Sequence, residues 1–439
     1  MTAPPSRRRR GHSPGDVTWH RWRTGWRDFD SILLGTVLVL NAIGILAIYS
    51  THTSSSFWSQ QGLTSILGVF LAITLSRIDY RWLQKWHWVL YGLTLAMLVG
   101  VMVAGVTSGG AARWLMVAGF KVQPSEFAKL AVILTTAAIL HRWPIHHFGQ
   151  MWLVALAFVP PWILIFLQPD LGTALIFVAI FTGMTYWGGA RLSWLVLLAS
   201  PAIAAVIYGF YASSSDQRLL WTWLGWVLFA CGLAIWQLPW RRLSVFVVAV
   251  LNLSAGFLGQ LVWEVLQPYQ RQRLLIFMNP DGDPLGAGYH LIQSRIAIGA
   301  GGLWGQGITQ GSQTQLNFIP EQHTDFIFAA IGEELGFVGA MVVLLLIWLI
   351  CLRLVAIAHS ARDDFGSLVA IGVFSTILFQ SLVNIGMTIG LMPITGLPLP
   401  FVSYGRSALL TYFLALGIVE SVAKHRTPPR FFRPDSGGR

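Results

Sequence analysis

A segment that crosses a lipid bilayer must satisfy its backbone polar groups internally, and as a helix it needs about 17–25 mostly apolar residues. Runs of that kind dominate this sequence. They fall at about 32–51, 58–76, 86–106, 124–140, 152–168, 171–189, 193–211, 219–237, 243–263, 326–352, 367–390 and 404–422. The expected fold is an all-α polytopic membrane protein with about twelve transmembrane helices. Of the 439 residues, 55% are hydrophobic and only 11% charged, which excludes an ordinary soluble domain. A net charge of +11 would suit a nucleic-acid binder. Here the basic residues sit in tails and short loops, where membrane topology puts them, so no nucleic-acid partner is expected.

Lys and Arg also set the orientation. Arg77, Arg81 and Lys85 follow the second run, Arg142 the fourth and Arg191 the sixth. Arg241 and Arg242 follow the eighth, Arg353 and Arg362 the tenth, and the last run leads to Lys424, Arg426, Arg430 and Arg433. The loops after the first and eleventh runs lack basic residues. The positive-inside rule then places both termini in the cytoplasm. Residues 1–30 form a basic N-terminal tail with "RRRR" at 7–10 and no secretory signal pattern, so the first helix is expected to be retained. Residues 31–423 form the membrane domain, and 424–439 a cytoplasmic tail. The segment 264–325 becomes a large outer loop before the tenth helix, too rich in apolar residues for disorder. Within it, "LIQSRIAIGA" reads as a short interfacial helix. Cys231 and Cys351 lie in apolar runs and build neither a disulfide framework nor a metal knuckle.

Ionisable residues at membrane depth are costly, and function is the default reading for them. Four groups stand out. In "GGAARWLMVAGFKVQPSEFAKL", 109–130, Pro124 suits a first helical turn, and Glu126 and Lys129 then share one face. They form either a packing ion pair or the charged floor of a cavity. Arg113, just upstream, has the geometry to bind phosphate bidentately. In "QPDLGTAL", 168–175, Asp170 is either a helix N-cap or a cavity carboxylate. In "FIPEQHTDFIFAAIGEELGF", 318–337, Asp325 is either the cap of the tenth span or a reactive group. A cap alone does not need Glu321, His323, Glu333 and Glu334 around it. In "GLMPITGLPLPFVSYGRSALL", 390–410, three prolines and three glycines break the helix, and such backbone must line a cavity or be buried in protein. On the topology above all four groups meet the outer face. Independent structural pairs would have no reason to choose one side.

The sequence holds no Walker A motif, no G-x-S-x-G elbow and no zinc-ligand pair, which argues against an ATP-driven pump and a serine or zinc hydrolase. A carboxylate can act as general base toward a hydroxyl, and Arg and Lys can stabilise a departing phosphate. Those groups suit transfer from a lipid-phosphate donor to an alcohol. They equally suit a proton-coupled transporter, and residue chemistry leaves both open.

The stretches "PSEFAKL", "QPDLGTAL", "YQRQRL", "DPLGAGYHLIQSRIAIGAGGLWGQG", "LNFIPEQHTDFIFAAIGEELGFVGA" and "LPLPFVSYGRSALL" resemble, in order, the motifs of the SEDS family (shape, elongation, division and sporulation). "DPLGAGYH" and "TQLNFIPE" suit its RodA-like elongation branch better than the FtsW-like one. The resemblance covers nearly the whole chain between the tails. It implies a peptidoglycan glycosyltransferase that polymerises lipid II at the outer face of the bacterial cytoplasmic membrane during elongation and shape maintenance. The implied partners are a class B penicillin-binding protein and other membrane proteins of the elongation complex. Asp325 would be the catalytic base, and Glu126, Lys129 and Asp170 match the family's charged positions. Arg113, Lys129, Arg271 and Arg273 would hold pyrophosphate charge, with a divalent cation, magnesium or manganese, as a candidate cofactor. Glu321 and His323 would support the site, and Glu333 and Glu334 are structural candidates. Two features depart from the family pattern. The family has about ten spans, so the pair at 212–263 reads as a peripheral addition. Arg406 stands in "SYGRS" where a second glycine is usual, and would either meet pyrophosphate or snorkel to the headgroups. The competing functions are a lipid II flippase or other transporter, and a noncatalytic cell-wall scaffold.

Overall fold

The computed structural model describes residues 29–51, 56–108, 111–117, 120–214, 216–265, 271, 273, 276–277 and 288–425. Twelve long helices lie among them. They are α1 (Ser31–Thr51), α2 (Phe57–Ser76), α3 (Arg81–Ala104), α4 (Pro124–Arg142), α5 (Met151–Leu167), α6 (Leu171–Trp187), α7 (Leu192–Ser214), α8 (Gln217–Gln237), α9 (Arg241–Val265), α13 (Gly336–Ser360), α14 (Asp364–Ile389) and α15 (Arg406–Lys424). Three short helices, α10 (Tyr289–Ala300), α11 (Ser312–Gln315) and α12 (Ile327–Glu334), precede α13. Nine of the described helices are long and apolar enough to cross a membrane. The protein is a nearly all-helical membrane protein.

Burial grades inward. α14 and α15 are the most enclosed, with 72% and 83% of their apolar windows buried, against 22% and 17% for α8 and α9. α7, α8 and α9 pack on one another around small apolar clusters of their own, such as Ala204, Trp223 and Val227. Ser200 in α7 accepts from the Asn252 amide of α9 at 3.0 Å. Its hydroxyl also donates to the Leu197 carbonyl, which Pro201 lacks the N–H to satisfy. α8 and α9, the pair at 212–263, thus belong with α7 to a three-helix unit on the rim of the bundle.

The structure departs from the sequence expectation in two places. Residues Val106–Ser108, Ala111–Val117 and Phe120–Val122 form a small antiparallel sheet, β1–β2–β3, where no strand was expected. The apolar run 326–352 is not one span. It divides into α12 and α13 at Gly336, whose φ is +67°. Continuous hydropathy hides the break because the preceding connector satisfies the freed backbone groups. Gln306 and Gly307 donate to the Glu333 and Glu334 carbonyls, and Phe337 and Val338 donate to Gly302 and Leu303. A Cβ at Gly336 would strike that connector. Asp325 is therefore not the cap of a spanning helix, and the non-spanning segment before α13 extends past 325 to include α12. "LIQSRIAIGA" does lie in a helix, α10.

Candidate active site

Three irregular segments converge on the site: the sheet before α4, the connector leading into α12, and the connector from α14 to α15. Each is held by buried polar side chains, as non-helical backbone inside a membrane protein requires.

The connector into α12 is fastened from below. The Glu333 carboxylate is fully buried and accepts from the Gln313 and Thr314 amides at 2.7 and 2.9 Å and from the Thr314 hydroxyl at 2.6 Å. Glu334 accepts from Ser50 of α1 at 2.6 Å, and Ser50 accepts from the Thr309 amide. Gln322 donates to the Thr51 and Thr314 carbonyls. These acids brace the connector and are not among the residues that line the cavity.

The 390–405 connector leaves α14 through Gly390, a left-handed C-cap. Gln380 of α14 donates to the Pro398 carbonyl at 2.9 Å. One turn on, Asn384 donates to Leu397 at 2.7 Å and to the Asp325 carbonyl at 2.8 Å. Tyr404 donates its amide to His323 and its hydroxyl to Gln60 of α2 at 2.8 Å. Ser407, in the first turn of α15, donates to the Lys121 carbonyl and accepts from the Gln123 amide, which ties this connector to the sheet.

Between these segments lies a cavity of about 700 Å³. Four carboxylates line it, Glu126, Asp170, Glu321 and Asp325, with four cationic side chains, Arg113, Lys121, Arg273 and Arg406. The four sequence groups therefore meet in one space. Phe57, His323 and Tyr404 form an aromatic wall, with the Phe57 and His323 rings parallel at 4.8 Å. Gly396, with φ +73°, places its Cα edge against Asp325. A Cβ there would lie 3.3 Å from the Asp325 carboxylate and 4.0 Å from the Arg273 guanidinium. Burial pushes the Asp325 carboxyl up to about 6, the Glu321 charge adds to the rise, and Arg273 and Arg113 oppose it.

Asp170 fills both roles expected of it. It caps α6 by accepting from the Thr173 amide and hydroxyl at 3.2 and 3.0 Å, and it lines the cavity 3.8 Å from Arg113. Glu126 and Lys129 pair at 2.7 Å with side chains 3% and 2% exposed. Glu126 lines the cavity while Lys129 sits behind it, near Gln380 and over the Tyr412 ring. Lys129 is therefore not placed to hold pyrophosphate directly. Arg271 is described but is not among the lining residues. Arg406 faces the cavity, which favours the ligand-contact reading over snorkelling.

Sequence reasoning missed Lys121, Trp114, Phe57, Gln60, Tyr404 and Gln380. Lys121 and Trp114 lay inside a stretch already singled out, and counting every cation there would have found Lys121. Gln380 carried a fainter signal, a polar side chain one turn from Asn384 in a long apolar helix. Among the described residues no group of three or more His, Cys, Asp and Glu side chains is placed to hold a metal ion. A divalent cation would need oxygen ligands from the substrate.

The chain matches the FtsW/RodA/SpoVE family, described as cell cycle protein, over residues 26–225 and 215–428. It is 35% identical over 430 residues to "Peptidoglycan glycosyltransferase RodA" of Treponema pallidum, covering 91% of this chain and 98% of that one. It is 36% identical over 399 residues to "Peptidoglycan glycosyltransferase MrdB" of Escherichia coli K12, covering 90% and 94%. A similar solved structure comes from "Structural coordination of polymerization and crosslinking by a peptidoglycan synthase complex", with TM-score 0.67, 32% identity and coverage of 90% and 97%. The Thermus thermophilus rod shape determining protein RodA follows at TM-score 0.60 and 26% identity, covering 91% and 98%.

Proposed function

Because this chain belongs to the FtsW/RodA/SpoVE family of cell cycle proteins, we propose that it acts as a peptidoglycan glycosyltransferase on lipid II. The observation that carries the reading is Asp325, a carboxylate raised toward neutrality in a cavity that also holds four cationic side chains. Ionised Asp325 removes the proton from the 4-hydroxyl of the acceptor GlcNAc. That oxygen bonds to the anomeric carbon of the donor MurNAc as the bond to undecaprenyl pyrophosphate breaks, with inversion. The electron pair leaves on the pyrophosphate, where Arg113, Lys121, Arg273 and Arg406 supply opposing charge. Glu126, paired with Lys129, keeps α4 in register under the cavity. If magnesium or manganese binds, cavity carboxylates such as Asp170 and Glu321 would help hold it, and it would neutralise further leaving-group charge.

The distribution of Lys and Arg supports a bacterial cytoplasmic membrane setting with the cavity facing outward. Similarity to a chain from a peptidoglycan synthase complex supports a class B penicillin-binding protein as partner, with other elongation-complex proteins, in cell elongation and shape maintenance. A flippase would be expected to distribute its acids through the membrane depth, whereas four of them meet here in one cavity. The test is glycan-strand synthesis from purified lipid II, with and without a class B partner, comparing wild type and Asp325→Asn. Strands from the wild type alone are expected. Strands from both would remove Asp325 as the base. Strands from neither would move the weight to transport, and equal cell-wall function of both variants in vivo would favour a scaffold.

A further inference from the structure

Asn384 lies in the apolar helix α14 and is fully buried. Its amide nitrogen has two protons, and each has an acceptor on a different segment. One goes to the Asp325 carbonyl at 2.8 Å and one to the Leu397 carbonyl at 2.7 Å. The orientation of the amide follows from this pair, since the reverse flip would set an oxygen against two carbonyls. Its Oδ1 makes no hydrogen bond among the described residues, so the residue acts there as a double donor.

The two segments it grips meet at the reacting group. Leu397 adjoins Gly396, the residue against which the Asp325 carboxylate rests. α14 is also anchored beyond this point. Ser294 of α10 donates to the Thr388 carbonyl at 2.7 Å, and Arg295 donates to the Ile389 and Gly390 carbonyls. The helix is thus a fixed post, and Asn384 is the only one of these contacts that reaches Asp325 itself.

We propose that Asn384 is a positioning residue for the glycosyl transfer: its two hydrogen bonds fix the Asp325 backbone against the Gly396 turn and so aim the carboxylate at the acceptor hydroxyl. The proposal rests on the polymerase reading above. Without the clamp the Asp325 and Leu397 carbonyls lose their shared donor and the two segments separate. A misplacement of about 1 Å costs on the order of 10²-fold in rate. The carboxylate also moves toward water, where its titration returns toward the ordinary range.

The experiment measures strand synthesis from purified lipid II by the full-length protein with its class B partner, for wild type, Asn384→Leu, Asn384→Gln and Ser294→Ala. Ser294→Ala removes a buried bond on the same helix without touching Asp325. For both Asn384 variants we expect kcat to fall about 10- to 100-fold with KM within about threefold. The acid limb of the rate profile should move to lower pH. Ser294→Ala should keep kcat within about threefold while its melting temperature falls as far as theirs. A polymerising wild type with unchanged kcat and acid limb in the Asn384 variants would overturn the proposal. So would a rise in KM alone, or the same kcat loss in Ser294→Ala. If Asn384→Leu does not fold, Asn384→Gln is read by the same criteria, because it keeps the amide and shifts only its reach. A wild type that makes no strands would instead refute the polymerase reading.

Discussion

If Asp325 is the base, the pH dependence of polymerisation should report its environment. Its carboxyl is raised from 3.8 to about 6, first by burial and then by Glu321, against the pull of Arg273 and Arg113. A general base works ionised, so kcat/KM should fall as pH drops through about 6. At pH 5 a group titrating at about 6 is about 9% ionised, whereas one at 3.8 would still be about 94% ionised. The rate at pH 5 should thus be roughly a tenth of its plateau. Glu321→Gln removes a raising charge and should move the limb to lower pH, and Arg273→Gln removes a lowering one and should move it up. Stability carries the opposite sign. A carboxyl whose folded value lies above its unfolded one contributes stability below about pH 3.8, and that is lost as pH rises through about 6. A carboxyl that titrates at about 6 when folded and 3.8 when unfolded corresponds to about 3 kcal/mol at neutral pH. Asp325→Asn should therefore be inactive yet melt higher than the wild type at pH 7, with the difference vanishing near pH 4. The assays are strand synthesis across pH 4.5–8 and thermal unfolding in detergent at the same values. A flat profile down to pH 5, or an Asn variant that melts lower, would refute the reasoning.

Lys129→Met should destabilise by about 3–5 kcal/mol, because it strands a carboxylate that is 3% exposed. The double variant with Glu126→Gln should recover most of that loss, as thermal unfolding would show, and an unchanged melting temperature in the single variant would rule out a buried pair. Gly396→Ala forces a side chain into a left-handed backbone, a strain of about 1–3 kcal/mol, and presses a methyl group to 3.3 Å from the Asp325 carboxylate. It should lower kcat more than it lowers stability. Deleting α8 and α9 should leave strand synthesis in the presence of partner, since their apolar windows are only 22% and 17% buried. Loss of synthesis in a well-folded deletion would place them in the catalytic core.

Whatever depends on local composition is legible in the amino-acid order alone. Apolar run length fixed the helices, and every long one was legible to within a few residues except at the tenth. The same argument located the acids, because a charge costs too much in an apolar setting to stand there without a role. Asp325, Asp170, Glu126 and Arg113 were all readable on those terms. Which groups share a space follows from the folded chain. It put Lys129 behind Glu126, left Arg271 out of the lining, turned Arg406 toward the cavity and set Glu333 and Glu334 under the connector. It also broke the run 326–352 at Gly336. Hydropathy sums side chains along the chain, whereas that break is stabilised by backbone hydrogen bonds from residues about 30 positions upstream. Asn384 shows the same limit. It is one of two side-chain amides in a long apolar helix, and its two acceptors lie 59 and 13 residues away, a pairing that only the folded chain creates.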